Sequence, residues 1–354
     1  MKGPTGNGPN GDRGACSTSA RDVAYVRKGL LLAALTGIIF SLDGPILKQG
    51  LEKAPFNMPE FWLLAPLFAA GCHDISAACL SLVLNVAQGK GREVLRTFCS
   101  KPGRFCVLGA FMGAPLGMGG YLMGISLAGP AYALPISTLY PAIAAVLARF
   151  FLKERISSRA LCGLVLCVAG AFTVGWSAPQ GGVGGHAFYL GLGFAFLAAF
   201  GWAAEGVCVT AGMDFIEPAV ALNVYQIVSS LLYVLVIVPA AYMLMAHDQP
   251  GVDAVELLTQ ALASPGLPFC AAAGFVGCVS YRCWYTAMNM TGVSRAMALN
   301  VTYALWGILF SALFTNVTVS RNLVAGAVVI VAGIVLVVMQ GKSGAALRHA
   351  QEAR

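Results

Sequence analysis

The sequence predicts an all-α polytopic membrane protein whose ten transmembrane helices form two inverted five-helix repeats. Only 10% of the 354 residues are charged and 58% are hydrophobic, a composition outside the range of soluble domains of this length. A helix that spans a bilayer needs about 20 mostly apolar residues. Ten stretches meet this need, at 27–48, 61–87, 104–127, 130–152, 159–177, 187–211, 219–245, 267–290, 293–314 and 322–340.

The segments at the two ends of the chain are polar. Residues 1–26 are rich in Gly, Ser and Asn and predict a disordered cytoplasmic tail. They do not resemble a signal peptide, because no small-residue cleavage motif follows an apolar run of suitable length. We expect the first repeat at 27–177, the second at 187–340 and a second cytoplasmic tail at 341–354. Between spans 7 and 8, residues 252–263 predict a short amphipathic helix at the outer surface.

Basic residues predict the orientation of the spans. They cluster before span 1, in the 2–3 and 4–5 connections and after span 10, which all lie on one side of a ten-span protein. This positive-inside pattern places both termini in the cytoplasm and the multi-pass chain in the cell's cytoplasmic (inner) membrane. The placement argues against nucleic acid as a partner, despite the net charge of +7.

Two internal alignments reveal the repeat. Leu31–Gly50 aligns without a gap on Gly193–Gly212, which sets Asp43 on Glu205. Residues 129–176 align on 292–339, which sets Tyr140 on Tyr303, Gly163 on Gly326 and Gly170 on Gly333. Each copy holds five spans, and an odd count means that the second copy enters the bilayer from the opposite side.

Spans 5 and 10 differ from the other eight. They contain almost no polar residues and carry paired glycines seven residues apart. Small residues at this spacing let helices approach closely. We therefore expect these two spans to be peripheral packing helices and the other eight to surround a cavity.

The fourth span and its exit, GPAYALPISTLYPAIAAVLARFFLKERISSRALCGLVLCVAGAF, contain a recognisable motif. An apolar helix with a central proline leads into a Leu-x-Glu-Arg loop and a glycine-punctuated helix, which resembles the EamA type of the drug/metabolite transporter superfamily. The residues that match are Pro141, Leu152, Glu154, Arg155, Gly163 and Gly170. The second copy keeps the glycines but has Asn316–Val317–Thr318 where the glutamate would stand.

The resemblance covers nearly the whole chain and implies a secondary transporter that moves a small metabolite by alternating access. It does not identify the cargo, because this superfamily handles amino acids, sugars, nucleotide derivatives, amines and drugs. We expect an amino acid, an amine or a related solute as partner besides the lipid bilayer, and no cofactor. Direction, proton coupling or exchange, and a homodimeric state stay open. Two alternatives to a transporter are a non-transporting membrane sensor or scaffold and an intramembrane enzyme.

Two intramembrane carboxylates are the leading site candidates. A charge at the centre of a span costs about 2.5–3.5 kcal/mol on insertion scales, so it usually has a function. Asp43 precedes Pro45, which frees a carbonyl and predicts a kink. The alternative role for Asp43 is a structural ion pair with Lys48. Glu205 shares a helical face with Trp202, which suits an amine or aromatic cargo or a proton carrier. We expect Asp43 and Glu205 to face one cavity.

Charged and titratable residues elsewhere in the spans add candidates. Arg282 lies in the middle of span 8, where it either clamps an anionic cargo or neutralises a carboxylate. His73 and Asp74 are adjacent, so we expect them on different faces of span 2. There His73 either relays protons or is structural.

Polar aromatic and amide side chains complete the candidates for binding or coupling: Tyr121, Tyr140, Tyr285, Tyr303 and Asn300. Tyr140 and Tyr303 stand out because the repeat preserves them. The chain has no Walker-type loop, no HExxH and no clustered Cys/His ligands. We therefore expect no metal, no cofactor, no catalytic residues and no ATP-driven transport by this chain alone.

Overall fold

The computed structural model describes residues 11–151, 158–176, 185–248, 254–291, 296, 299–300, 302–314 and 319–338. Every regular element in these ranges is helical. Residues 1–10 of the predicted N-terminal tail lie outside them, as do the predicted tail at 341–354 and the motif residues Leu152, Glu154 and Arg155.

The described part of the first half contains eight α-helices. They are α1 (Gly11–Leu51), α2 (Leu64–Ala87), α3 (Gly91–Phe98), α4 (Lys101–Met112), α5 (Gly120–Ala128), α6 (Pro130–Ser137), α7 (Tyr140–Phe151) and α8 (Ser158–Trp176). A 3-10 turn at Pro59–Phe61 precedes α2, and a π-helical segment at Gly113–Gly119 joins α4 to α5.

The second half has seven helices in the described ranges. They are α9 (His186–Met213), α10 (Pro218–Leu232), α11 (Val238–Asp248), α12 (Ala254–Leu262), α13 (Leu267–Thr291), α14 (Tyr303–Phe314) and α15 (Arg321–Val338). A π-helical segment at Tyr233–Ile237 joins α10 to α11.

Five described helical segments are long and apolar enough to cross a bilayer: Arg27–Leu51, Leu64–Ala87, Lys101–Ala128, His186–Met213 and Pro218–Met245. Three shorter apolar helices occupy the predicted spans 5, 9 and 10. Span 8 corresponds to α13, and span 4 to α6 and α7 together. Helix α1 begins at Gly11, so helical structure reaches into the segment that we expected to be disordered.

Span 4 is broken between α6 and α7. Pro135 lies inside α6 and Pro141 follows the break. Neither can donate a backbone hydrogen bond, so the regular ladder is interrupted. Two hydroxyls satisfy carbonyls there, Ser137 Oγ donating to Leu134 O at 2.9 Å and Thr138 Oγ1 to Pro135 O at 2.5 Å. Irregular backbone at this depth is tolerated where protein buries it, and both residues are fully buried.

Helices α8 and α15 pack on each other through their glycines. A Cβ built on Gly170 would lie 2.8 Å from Gly326 O, and one on Gly333 would lie 2.6 Å from Gly163 O. The backbones are therefore too close for any larger residue. No described residue of either helix lines the cavities reported below, in agreement with the expected peripheral position.

Helix α1 runs along the helices of both halves. Its Thr36 Oγ1 donates to Ser280 O on α13 at 3.4 Å, and its Ser41 Oγ donates to Tyr303 O on α14 at 2.9 Å. Ser280 Oγ returns a bond to Thr36 O at 3.2 Å. These buried hydroxyls fix α1 against the second repeat, and the cavity lies beside this contact.

Candidate functional site

A cavity lies between the two repeats. Helices α1 and α7 contribute to it from the first repeat, and α9, α13 and α14 from the second. We call it the aromatic chamber, because seven of its lining side chains are aromatic: Phe40, Tyr140, Trp202, Tyr281, Trp284, Tyr285 and Tyr303.

Phe40 is the centre of the aromatic packing. Its ring centroid lies 5.3 Å from that of Tyr303, 5.8 Å from Trp202 and 6.2 Å from Tyr281, all edge-on. On its other side it stacks on Tyr121 at 5.7 Å. Tyr121 is thus part of the wall behind Phe40 and does not line the chamber. Because edge-on neighbours hold rings in fixed orientations, the wall of the chamber is preorganised.

Glu205 is the one acidic residue among the side chains that line the chamber. It is buried, and Tyr285 Oη donates to its Oε1 at 3.0 Å. The hydroxyl of Tyr225 is a second side-chain partner. No Lys, Arg or His lines the chamber, and none of the ion pairs of the described residues includes Glu205. The carboxyl is therefore held by neutral hydroxyls and lacks a cationic partner.

Two polar atoms of the chamber lack a hydrogen-bond partner among the described residues. They are Trp202 Nε1, a donor, and Asn300 Oδ1, an acceptor. The amide nitrogen of Asn300 is used, since it donates to Tyr140 Oη at 3.1 Å. The Tyr303 hydroxyl is also used, 3.1 Å from Ser137 Oγ. A buried unpaired polar group is costly, so these two atoms are the least satisfied part of the chamber wall.

A second polar group lies outside the chamber. His73 bridges two carboxylates, with Nδ1 at 2.8 Å from Asp74 Oδ1 and Nε2 at 3.3 Å from Asp43 Oδ1. Ser229 Oγ donates to the other oxygen of Asp74. We call Asp43, His73 and Asp74 the acid–histidine cluster. All three side chains are buried, and Asp43 has no exposed surface.

The cluster corrects two expectations. Asp43 does not share the chamber with Glu205; Phe40, one helical turn earlier on α1, takes that position. His73 and Asp74 do contact each other, although adjacent helical positions point about 100° apart. The alternative partner of Asp43 is also excluded, because Lys48 pairs with Glu52 at 3.9 Å.

Arg282 lines neither cavity. It is half-buried on α13, and its Nη1 donates to Asn85 Oδ1 at 3.4 Å. Within the described ranges it forms no ion pair with Asp43, Asp74 or Glu205. Its position therefore matches neither a clamp for an anionic cargo nor a partner that neutralises an intramembrane carboxylate.

A smaller cavity lies next to the acid–histidine cluster. His73, Asp74, Tyr225 and Tyr281 are among the side chains that line it. Tyr281 also lines the aromatic chamber, so this side chain borders both spaces. Tyr225 stacks on Tyr281 at 6.4 Å and 15°.

Several of these residues were missed by the sequence analysis. Two of them had a usable signal in the sequence. Phe40 lies three residues before Asp43, and Tyr281 lies four residues before Tyr285, so each is a helical neighbour of a predicted candidate. Tyr225 and Ser229 had none, because their roles depend on how α10 packs against α2 and α9.

The comparison with protein families agrees with this two-repeat arrangement. The sequence model of the EamA-like transporter family matches residues 27–176 and again 189–339. The chain belongs to the EamA-like transporter family. The match to two successive segments confirms the resemblance to drug/metabolite transporters and the two-repeat, all-α polytopic membrane fold.

Protein LicB and one solved crystal structure are among the proteins that are similar to this EamA-like chain. Protein LicB of Haemophilus influenzae (strain ATCC 51907 / DSM 11121 / KW20 / Rd) is 28% identical over 208 residues, which cover 57% of this chain and 63% of LicB. The alignment thus spans less than two thirds of that relative. A solved crystal structure superposes with a TM-score of 0.54 at 16% identity, covering 88% of this chain and 98% of the other. That likeness concerns the fold alone.

Proposed function

We propose that this EamA-like protein is a secondary carrier that moves a small organic cation, an amine or quaternary ammonium compound, across the membrane. The observation that carries the proposal is Glu205 in a chamber walled by aromatic rings and lined by no basic side chain.

The electrostatics of the chamber favour a positive charge. An aromatic face attracts a cation with about 0.5–2 kcal/mol, more when the site is desolvated. Glu205 supplies a counter-charge that no protein cation already neutralises. An anion would meet only repulsion from this carboxyl, and a free amino acid would leave its own carboxylate without a basic partner. The wall therefore favours an amine among the solutes that we expected as cargo.

Alternating access follows from the repeat. Five spans per copy invert the second copy, so the chamber at their interface has two equivalent ways to open. Within this proposal both termini are cytoplasmic and the chain resides in the cytoplasmic membrane. The described residues of helices α8 and α15 do not line the chamber, and the two helices take no part in its opening. The chain acts as a carrier and catalyses no reaction.

Thermal unfolding in detergent tests the proposed cargo class. Tetramethylammonium and propylammonium are compared with tert-butanol, a neutral molecule of similar shape, and with acetate. A ligand that binds only the folded state at 100 times its Kd stabilises that state by about 2.7 kcal/mol. We expect the two cations to raise Tm in the parent protein, and tert-butanol and acetate to leave it unchanged.

Matched variants locate the binding site. Glu205→Gln removes the charge with little change in shape, and we expect it to weaken cation binding roughly 30-fold or more, as for loss of one partner of a buried charge pair. Glu256→Gln makes the same change at an exposed position on α12 and should bind like the parent. Equal stabilisation by cations, tert-butanol and acetate, or none by any of them, would contradict the proposal.

A further inference from the structure

We propose that the acid–histidine cluster of Asp43, His73 and Asp74 is a proton-carrying site that drives transport from outside the cargo chamber. The inference rests on the proposed transport of an organic cation and adds the coupling site to it. It separates the residue that meets cargo, Glu205, from the residues that exchange a proton.

The geometry makes the three residues one unit. The imidazole lies between two carboxylates, at 2.8 Å from Asp74 and 3.3 Å from Asp43. Asp43 comes from α1, whereas His73 and Asp74 come from α2. Ser229 of α10 donates to Asp74, so three helices meet at the cluster. A proton that arrives or leaves therefore changes contacts among three helices.

The number of protons that the cluster holds determines its net charge, which is why the exchange of one proton matters. A neutral imidazole has one N–H and can present it to one carboxylate only, whereas imidazolium presents an N–H to each of them. With imidazolium and two carboxylates the net charge is −1. One further proton on a carboxylate oxygen brings the cluster to zero. Because a net charge inside the bilayer is costly, this single proton changes the relative free energies of conformations that bury or expose the cluster.

The carboxylate of Asp43 can accept that proton. Its side chain has no exposed surface, and neither of its oxygens has a partner with hydrogen-bond geometry among the described residues. The 3.3 Å approach of His73 is thus an electrostatic contact. A metal ion does not suit the site, since no group of three or more His, Cys, Asp or Glu in the described ranges has an arrangement that fits one.

One carboxyl outside the cluster, that of Glu205, interacts electrostatically with Asp74. The charged partners of Asp43 and His73 are each other and Asp74. The other titratable groups that interact with the cluster are phenols and a thiol, which are neutral near pH 7 in water. They come from α5, α10, the π-helical segment after α10, and α13: Tyr121, Tyr225, Tyr233, Cys270 and Tyr281.

Two aromatic side chains connect the cluster to the chamber. Tyr281 lines both cavities. Tyr225 contacts Glu205 and stacks on Tyr281. Phe40 adds a third link, because it enters the chamber one turn before Asp43 on the same helix. A helix movement that follows proton exchange therefore reaches the residues that contact cargo.

Proteoliposomes with an imposed pH gradient test the coupling. Uptake of labelled tetramethylammonium is measured for the parent, Asp43→Asn and His73→Gln, with Glu52→Gln and His186→Gln as exposed controls. We expect the two cluster variants to lose gradient-driven uptake by about tenfold or more, in line with usual coupling strengths. Their thermal stabilisation by tetramethylammonium should match the parent, which also shows that they fold. The controls should transport like the parent.

The outcomes separate this inference from the proposed function. If tetramethylammonium fails to bind the parent, the proposed function is wrong. If it binds, but both cluster variants keep gradient-driven uptake, the cluster does not couple and only this inference fails. Should a variant not fold, a pH-sensitive dye inside liposomes that contain the parent protein measures proton movement instead. Cargo-dependent proton movement supports the coupling, and its absence overturns it.

Discussion

Tyr285 Oη donates a hydrogen bond to Glu205 Oε1 at 3.0 Å, joining α13 to α9 at the wall of the aromatic chamber. Tyr225 of α10 contacts the same carboxyl. Hydroxyls orient the carboxyl without pairing it with a protein cation, which distinguishes this acid from one that forms an ion pair with a lysine or arginine. The arrangement leaves the carboxyl available to a bound cation.

Tyr285→Phe should weaken cation binding while the fold is retained. The change removes one hydroxyl and keeps the ring, and a hydrogen bond to a charged group contributes about 1.5–3 kcal/mol. Titration calorimetry with tetramethylammonium measures the loss. Tyr189→Phe, at an exposed position on α9, is the control. An unchanged Kd in Tyr285→Phe would show that this hydroxyl does not orient Glu205 for cargo.

Trp202→Leu should distinguish cation–π attraction from simple apolar contact. Leucine keeps an apolar side chain but has no ring, so we expect a loss of about 1 kcal/mol or more for tetramethylammonium. The control is Trp62→Leu, at a half-exposed position outside the chamber. If Trp62→Leu weakens binding as much as Trp202→Leu, the chamber is not where the cation binds.

Arg282→Gln should leave cation affinity unchanged, because Arg282 lines neither cavity. Its contact with Asn85 is long, at 3.4 Å, and its loss should alter stability by about 1 kcal/mol or less. Binding of tetramethylammonium and of acetate is measured side by side. Acetate binding by the parent that disappears in the variant would instead identify Arg282 as an anion clamp.

Gly170→Ala and Gly193→Ala should change stability in opposite directions. A methyl group at Gly170 would lie 2.7 Å from Ile330 Cγ1 and 2.8 Å from Gly326 O, and such overpacking costs about 1–3 kcal/mol. At Gly193 it would meet nothing within 4 Å, so the higher helix propensity of alanine should stabilise by roughly 0.5–1 kcal/mol. Thermal unfolding compares both with the parent. Equal effects would argue against close packing of α8 and α15.

Cysteine labelling in cells should show that the 2–3 and 5–6 connections face opposite sides. Native Cys99 is exposed between α3 and α4. Gly185→Cys places a thiol at an exposed position before α9, where nothing crowds it. The basic-residue pattern predicts that a membrane-impermeant reagent reaches position 185 from outside and Cys99 only after lysis. Labelling of both thiols from one side would overturn the ten-span topology.

The sequence predicted the helical content and the spans because few backbone structures can cross a bilayer. It predicted the repeat because segments of the two halves align. Each span must satisfy its own backbone, so long apolar runs mark helices. The same reasoning identified Glu205, Trp202 and Tyr303 as candidates, since polar or aromatic groups deep in a span are rare. Their position in one chamber agrees with that expectation, although their role in transport is still a proposal.

The sequence by itself determined which residues enter the membrane, in what order, and that the second half repeats the first. Only the tertiary structure decided which way each helix is turned. Helices such as α1 and α9 are apolar on nearly every face, so no polar stripe specifies their rotation. Packing against neighbours therefore placed Phe40 in the chamber, turned Asp43 towards His73, and separated two acids that the repeat had made equivalent.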